Sequence, residues 1–212
     1  MTFPTLELEK ELLSNFKYVI GIDEVGRGAI AGPIAVGAAL ISFEHLESLP
    51  KAVRDSKLIP ETKRDAVAGE VHSWCEAKVG TVSASEIDQV GITKALAKAA
   101  LEALSHFELN DTVILLDGNS NWLGAENLPA KVVIRIKADR DCGSVAAASV
   151  VAKVERDNHM RELHKEFPDF GWESNKGYAA AEHIASLQRL GPTPHHRVSW
   201  LGKILTSETQ LF

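Results

Sequence analysis

The segment VIGIDEVGRGAIAG, residues 19–32, constrains the fold more than any other part of the chain. An apolar run ends in two adjacent acids, Asp23 and Glu24, and a turn follows in which Arg27 lies between two glycines. Glycine-rich turns usually present backbone N–H groups to anions, which carboxylates would repel. The pattern therefore requires a positive group between the acids and the turn.

The hydrophobic pattern around this turn predicts an α/β domain. Segments 18–23 and 33–42 are rich in β-branched residues and predict two paired strands. Further strands are predicted over 77–85, 112–117 and 131–137, and helices over 60–76, 92–107, 144–167 and 179–190. Ser85, with Glu86 and Asp88, predicts one more helix start, and Ser144 is the predicted N-cap of the long helix. Strands followed by alternating strands and helices indicate a mixed sheet with a helical C-terminal appendage.

Three of the predicted strands run out into aspartates, namely Asp23, Asp117 and Asp139. If these strands are neighbours, their carboxylates and that of Glu24 converge on one crevice. Like charges at such short range raise one another's pKa, and divalent cations relieve the conflict. Because the ligands are oxygens only, we expect a hard ion, Mg²⁺ or Mn²⁺.

Each acid also has a simpler interpretation. An aspartate in the sequence Asp117-Gly118-Asn119 is typical of a turn. Asp141, two residues further on, is an alternative to Asp139 as the fourth acid. Asp157 is expected to be a solvated charge on a helix face.

The glycine turn does not match a dinucleotide-binding fingerprint. Gly26, Gly28 and Gly32 have the spacing GxGxxxG instead of GxGxxG, and the turn leads to a strand instead of a helix. Glycines here would let the backbone approach a substrate closely, and Arg27 would donate to a phosphate.

Composition and charge narrow the class of protein. The chain has 212 residues, of which 45% are hydrophobic, so it can form one domain, or one domain with an appendage, around a substantial core. Its net charge of −6 argues against a uniformly basic nucleic-acid-binding surface. Residues 171–203 carry four Lys and Arg against two Glu, with His183, His195 and His196 as further donors, so this region is a candidate anion-binding face.

The chain lacks signs of secretion or membrane insertion. No run approaches the roughly 18 apolar residues that span a bilayer, and the N-terminus is acidic and amphipathic, unlike a signal peptide. The two cysteines, Cys75 and Cys142, are too few for a disulfide framework and are expected to be buried, reduced thiols. We expect a cytoplasmic protein.

Several motifs, in order, resemble the ribonuclease HII family from Tyr18 to Trp200. They are GIDEVGRGAIAGPIAVGAAL (21–40), DSK (55–57), EIDQVGI (86–92), LLDGN (115–119), KADRDCGSVAAASVVAKVERD (137–157), NKGYAAAEH (175–183) and HHRVSW (195–200). The resemblance implies a ribonuclease H-like fold, with a mixed five-stranded sheet flanked by helices and a C-terminal helical extension. We expect a catalytic domain over residues 1–165 and an extension and tail, involved in substrate binding, over 166–212.

The activity that the resemblance implies is metal-dependent cleavage of the RNA strand in RNA–DNA hybrids, and incision 5′ to single ribonucleotides in duplex DNA. The products would carry 5′-phosphate and 3′-hydroxyl ends. A non-catalytic nucleic-acid-binding protein on the same fold is the alternative, although such a protein would be expected to lack one of the four acids. A sister ribonuclease lineage acts on long hybrids, but the GRG turn and Tyr178 favour the junction-cutting type.

The resemblance also implies roles for individual residues. The catalytic and metal-binding acids would be Asp23, Glu24, Asp117 and Asp139, holding two Mn²⁺ or Mg²⁺ ions. Gly26, Arg27 and Gly28 would recognise the 2′-OH of the ribonucleotide, and Tyr178 would pack on its sugar. Phosphate contacts are expected from Ser56, Lys57 and Lys176. The roles of His195, His196 and Arg197 stay open at this point.

The C-terminal residues suggest one protein partner. Gln210, Leu211 and Phe212 faintly resemble the short peptides that dock on sliding clamps, whereas a disordered terminus is the simpler expectation. A monomer is the simplest expectation for a one-domain enzyme.

Overall fold

The apolar run before the glycine turn forms β1 (Tyr18–Val25), the central strand of the sheet. The computed structural model describes residues 3–124 and 128–205, and its other strands are β2 (Ile34–Ile41), β3 (Glu76–Val82), β4 (Thr112–Asp117) and β5 (Lys131–Arg135). The strand order is β3-β2-β1-β4-β5. β1 pairs antiparallel with β2, and β2 antiparallel with β3, whereas β1–β4 and β4–β5 are parallel. The predicted mixed five-stranded sheet is confirmed.

Helices cover both faces of the sheet and form its C-terminal extension. Their bounds are α1 (Glu7–Leu12), α2 (Glu61–Trp74), α3 (Ala84–Val90), α4 (Ile92–Leu104), α5 (Ala138–Asp141), α6 (Gly143–Glu166), α7 (Trp172–Asn175), α8 (Ala181–Leu190) and α9 (Gly202–Leu205). Short 3-10 turns lie at Phe43–His45, Ser56–Leu58, Pro168–Phe170 and Val198–Trp200.

Both faces of the central strands are buried. Val19 of β1 belongs to a cluster with residues of α2 and α6, whereas Ile20 and Ile22 belong to a cluster with residues of α4 on the opposite face. A strand covered on both faces reads as a continuous apolar run, which is the pattern of β1, β2 and β4.

Helix α6 lies unusually close to β1 and β2. A Cβ atom on Gly37 would lie 2.2 Å from the carbonyl oxygen of Ala148, and one on Gly21 would lie 2.3 Å from the carbonyl carbon of Ser144. The helix contributes small side chains over 144–149, which match these glycines. The contact places α6 directly against the strand that carries Asp23.

The C-terminal elements pack against the second half of α6 and against the glycine turn. Their apolar cluster contains Ile30, Met160, Trp172, Leu187 and Leu201. The extension therefore supports the turn that follows β1.

Two predicted helix N-caps differ from those in the structure. The hydroxyl of Ser83, and not that of Ser85, accepts a hydrogen bond from the Glu86 N–H, so α3 begins at Ala84. Helix α6 begins at Gly143, and Ser144 donates its N–H and its hydroxyl to Glu9 at 2.9 and 2.8 Å. A carboxylate from a distant segment takes the place of the predicted serine cap, which local patterning cannot reveal.

Two general expectations concern the cysteines and the membrane. Cys75 and Cys142 are buried free thiols, as predicted, and burial raises the pKa of each to about 12. Within residues 3–124 and 128–205, the helices are all too short or too polar to cross a bilayer.

Candidate active site

The predicted acids meet at the carboxyl ends of the parallel strands. β1 and β4 are parallel, with Ile22 opposite Leu116, so Asp23 and Asp117 follow at the same level on neighbouring strands. Glu24 is the next residue of β1, and Asp139 lies in α5, soon after β5 ends. The structure therefore brings all four sequence-predicted carboxylates to the same end of β1, β4 and β5.

Asp23 is the most deeply buried of the four acids, at 5% exposure. The pKa of Asp23 is raised to about 8, first by burial and then by the nearby carboxylates of Glu24, Asp117 and Asp139, against a hydrogen bond with Ser149 that lowers it. Asp23 therefore retains a proton at neutral pH unless positive charge enters the site.

Glu24 is paired with the arginine of the glycine turn. Burial raises the pKa of Glu24, and the guanidinium of Arg27, 3.4 Å from Glu24 Oε1, lowers it. The Arg27 side chain is 55% exposed, so it can also reach a ligand.

Asp117 is held by the backbone of the segment that carries Asp139. The N–H of Ala138 donates to Asp117 Oδ1 at 2.7 Å. Lys137, directly before it, has a φ of 62°, in the left-handed region that favours glycine. This unusual backbone turns the Ala138 N–H toward Asp117.

Asp139, and not Asp141, faces the other acids. Asp139 is 7% exposed, and its pKa is raised by burial and by Asp117 and Asp55. The ammonium of Lys57 lies 3.8 Å from Asp139 Oδ2. Asp141 is exposed and pairs with Arg135 at 3.3 Å.

The donor set fits a hard divalent cation by its chemistry. The carboxylates supply oxygen ligands only, and a cation would stabilise the charged form of Asp23, which burial and, to a smaller extent, the neighbouring carboxylates disfavour. In the part of the chain that the structure describes, no three such side chains are already gathered at metal-ligand spacing. The carboxylates would therefore have to draw closer together around an ion.

Two buried arginines hold the glycine turn by its backbone. Arg197 donates to the carbonyls of Gly26, Arg27 and Gly32, at 2.8, 3.0 and 3.2 Å. Arg156 donates to the carbonyls of Pro33, Ala31 and Lys176, at 2.9, 3.2 and 3.0 Å. The sequence left the role of Arg197 open. In the structure, its guanidinium group binds the backbone of the glycine turn.

Gly26 and Gly28 serve the turn in different ways. Gly26 has a φ of 88°, and a Cβ there would lie 2.1 Å from Arg156 Nε, so a side chain is excluded on both counts. A Cβ on Gly28 would meet nothing within 4 Å. The turn is tightly packed at Gly26 and open to a ligand at Gly28.

Tyr178 lies beside this turn. The carbonyl of Gly177 accepts hydrogen bonds from the N–H groups of Ile30 and Ala31, at 2.9 and 3.1 Å. The Tyr178 ring is 39% exposed, and its centroid lies 5.6 Å from the Arg156 guanidinium carbon. A partly exposed aromatic side chain is therefore held beside the Ile30–Ala31 part of the turn.

The three predicted phosphate contacts differ in exposure. The Lys57 side chain is 76% exposed, whereas Ser56 is buried and its hydroxyl accepts from Ser149 at 2.9 Å. Lys176 is 5% exposed, and its ammonium lies 2.9 Å from Glu61 Oε1. Only Lys57 has a free path to a phosphate in this conformation.

The three histidines of the candidate anion-binding face, residues 171–203, do not contribute to an open surface as predicted. His183 and His196 are buried and hydrogen-bonded to each other, Nε2 to Nε2, at 3.0 Å. His195 is half-buried, with its ring against Phe167 at a centroid distance of 5.4 Å. These donors stabilise the extension instead of lining an open surface.

Sequence reasoning missed Ser149 and Arg156 and misjudged Asp157. Ser149 and Arg156 lie within the quoted motif of 137–157, as polar residues in a helix of small side chains, which was the available signal. Asp157 is buried at 2% exposure and pairs with Arg64 and Lys153, at 3.5 and 2.8 Å. It is not the solvated charge that was predicted.

The family model and the relatives that match this chain carry the same family name. The family model described as Ribonuclease HII matches residues 20–203. Ribonuclease HII of Streptomyces avermitilis is 43% identical over 200 residues, covering 93% of this chain and 83% of the relative. Ribonuclease HII of Cereibacter sphaeroides is 36% identical, covering 89% and 86%.

Solved structures show the same fold. Ribonuclease H2 of Pyrococcus horikoshii superposes with a TM-score of 0.75 at 26% identity, covering 89% of this chain and 97% of that one. RNase HII of Archaeoglobus fulgidus, solved as a complex with PCNA, has a TM-score of 0.73 at 28% identity, covering 86% and 94%.

Proposed function

Because the chain belongs to the ribonuclease HII family and is a hydrolase of the ribonuclease H type, we propose that it cuts the RNA strand of RNA–DNA hybrids and incises duplex DNA 5′ to single ribonucleotides. The products would carry 5′-phosphate and 3′-hydroxyl ends. One observation carries the proposal. Asp23, Glu24, Asp117 and Asp139 lie together at the carboxyl ends of the parallel strands, beside the glycine turn.

The four carboxylates would hold Mg²⁺ or Mn²⁺, with two ions in the reacting complex. When bound, such ions supply an activated water and charge stabilisation for the departing 3′-oxygen. The chain itself orients the carboxylates. The Ser149 hydroxyl contacts Asp23, and the Ala138 N–H fixes one oxygen of Asp117 at 2.7 Å.

The turn of Gly26, Arg27 and Gly28 would read the 2′-OH of the ribonucleotide, with Tyr178 packed on its sugar. Open space at Gly28, the half-exposed Arg27 and the exposed Tyr178 ring support this assignment. A 2′-OH contact is what distinguishes RNA from DNA at a single position.

Ser56, Lys57 and Lys176 would contribute to phosphate binding. Lys57 would do so directly, because its ammonium is exposed beside Asp139. Ser56 would act through the backbone of its loop, and Lys176 would first have to release Glu61.

A DNA duplex with a single ribonucleotide tests the function. We expect the native chain to cut it 5′ to the ribonucleotide with Mg²⁺ or Mn²⁺, and not with EDTA. Asp23→Asn and Asp139→Asn should each lower kcat/KM by at least roughly a hundredfold, because each removes a ligand. Asp141→Asn is the matched control, since this aspartate faces away from the acids, and it should retain activity.

Other outcomes would change the conclusion. Cleavage of long hybrids alone would remove the junction-reading roles of Arg27 and Tyr178 while keeping the acid site. Binding without any cleavage would favour the non-catalytic nucleic-acid-binding protein.

We also propose a sliding-clamp contact through Gln210, Leu211 and Phe212, which lie outside the described residues. The Archaeoglobus fulgidus relative, solved with PCNA, supports this idea. Capture of a clamp by the full chain, and not by a chain that ends at residue 206, is the expected result. Equal recovery by both chains would exclude the contact.

A further inference from the structure

The residues around Asp139 expose three cations that the proposed function does not use. Arg135 ends β5, Lys137 follows it, and Arg140 lies in α5, and all three are exposed. The side chains of Arg135 and Arg140 are 52% and 53% exposed. We call this set the basic rim.

The basic rim borders two of the four acids. Arg135 is opposite Asp117 in the β4–β5 register, and its carbonyl accepts from the Gly118 N–H at 3.1 Å. Lys137 and Arg140 flank Ala138 and Asp139 in sequence. In the strand order, the glycine turn follows β1 and the rim follows β5, so the acids lie between the turn and the rim.

The rim presents positive charge even though the protein is acidic overall. Asp55, the partner of Arg140 at 3.8 Å, is buried, and the side chain of Asp139 is only 10% exposed. Asp141, the partner of Arg135, is the one of these acids that is exposed. The exposed Arg135–Asp141 pair is weak, and the side chains of Arg135 and Arg140 both stay about half exposed, so both guanidinium groups can bind a stronger anion.

Lys137 is the least restrained member of the rim. Among the described residues, no carboxylate lies within ion-pair distance of its ammonium. Its backbone is left-handed, with a φ of 62°, and it directly precedes Ala138, whose N–H binds Asp117. Non-glycine residues in this conformation are concentrated at ligand-binding sites.

We propose that Arg135, Lys137 and Arg140 form a second phosphate-binding surface, which contacts the sugar–phosphate backbone of the substrate duplex on the side of the acids away from the glycine turn. The inference rests on the proposed function, since the duplex must pass the acids to reach this surface. Contacts of this kind position a duplex and carry no sequence information. The rim would therefore determine affinity and its dependence on salt, and not the choice of ribonucleotide.

The test compares the full chain with the variant Arg135→Gln/Lys137→Gln/Arg140→Gln. The dissociation constant for a fluorescent duplex with one ribonucleotide is measured by anisotropy, in EDTA, over a series of KCl concentrations. Each lost phosphate contact should reduce the slope of log Kd against log salt by about 0.9, and weaken binding about fivefold at about 0.15 M salt. Thermal unfolding checks that the variant is folded.

The matched control is Lys78→Gln/Lys94→Gln/Lys98→Gln, on the β3–α4 side of the sheet, at the opposite edge from β5. It removes the same charge, and Lys78 and Lys98 are likewise ion-paired, with Glu76 and Glu86. The proposal requires a reduced slope in the rim variant alone. Equal slopes in the rim variant and the native chain, or in the rim variant and the control, would overturn it.

The experiments distinguish a failure of the basic rim from a failure of the proposed function. Cleavage of the ribonucleotide duplex by the native chain in Mg²⁺, with no slope change in the rim variant, overturns the rim and leaves the function intact. A slope change without any cleavage supports the rim as a duplex-binding surface and overturns the nuclease.

Discussion

Arg156 and Arg197 are buried charges that bind backbone carbonyls of the glycine turn and its neighbours. Burial lowers the pKa of both, and Arg197, which Arg156 also repels, has a pKa of about 10. Guanidinium groups stay protonated in proteins at neutral pH, so each carbonyl contact is charge-assisted. At the scale of single residues, the shape of the turn therefore depends on two planar guanidinium groups.

Arg197→Lys tests this dependence. Lysine keeps the charge but cannot bridge three carbonyls in one plane, so we expect the turn to shift. Misplacement by about 1 Å should lower kcat/KM on the single-ribonucleotide duplex by up to roughly a hundredfold. Arg189→Lys is the control, because Arg189 is exposed and bound to Asp169 at 3.0 Å. Equal kcat/KM in both variants would show that the guanidinium of Arg197 is dispensable.

These arginines also mark how far the sequence can predict the site. Asp23, Glu24 and Asp117 were identifiable because each ends a strand or lies beside that end, which is local information. The contact of Arg156 with Pro33 spans 123 residues, and that of Arg197 with Gly26 spans 171. Asp157 was misjudged for the same reason, since its partner Arg64 comes from another helix. Local patterns predict strand ends and turns, but not which distant group will pair with a buried charge.

At the scale of elements, the contact between α6 and the β1–β2 pair sets the position of Asp23. The helix approaches so closely because Gly21 and Gly37 have no side chains, and its small residues then bring the Ser149 hydroxyl to Asp23. The sequence predicted both strands and this helix, whereas their separation became evident only from the packing. Any widening of the contact should move Ser149 away from Asp23.

Gly37→Ala should therefore destabilise the fold. The new Cβ would lie 2.2 Å from the Ala148 carbonyl oxygen, and overpacking of this kind costs about 1–3 kcal/mol in the free energy of unfolding. Gly69→Ala is the control, because Gly69 lies in α2 with nothing within 4 Å of a Cβ, and this change should stabilise by about 0.5–1 kcal/mol. Urea denaturation measures both, and a Gly37→Ala protein as stable as the native chain would contradict the packing argument.

At the scale of the whole molecule, a buried histidine pair joins the parts of the extension. Trp172 Nε1–H donates to His183 Nε2, and His183 Nδ1 lies 2.8 Å from the Tyr178 carbonyl, so His183 carries its proton on Nδ1. The Thr193 N–H donates to His196 Nδ1 at 2.9 Å, so His196 carries its proton on Nε2 and donates to His183. Both rings must be neutral for this arrangement, which ties Tyr178 to the segment before Arg197.

The pair should make the native state sensitive to acid. Burial, followed by repulsion from His183, lowers the pKa of His196 from 6.5 to about 4, and burial also lowers that of His183. The unfolded chain therefore binds more protons than the native state between these values, so stability rises with pH in this window. The contribution of His196, up to about 3 kcal/mol, should be complete above the unfolded pKa and be lost as the pH falls toward the folded pKa.

Urea denaturation of the native chain and of His196→Asn, at about pH 7 and about pH 5, measures this contribution. Asparagine can still accept from the Thr193 N–H and does not titrate, so the variant should lose less stability than the native chain between the two pH values. His72→Gln, at an exposed position of α2, should leave the pH dependence of the native chain unchanged. If His196→Asn shows the same loss as the native chain, the titration of His196 does not contribute to the acid sensitivity.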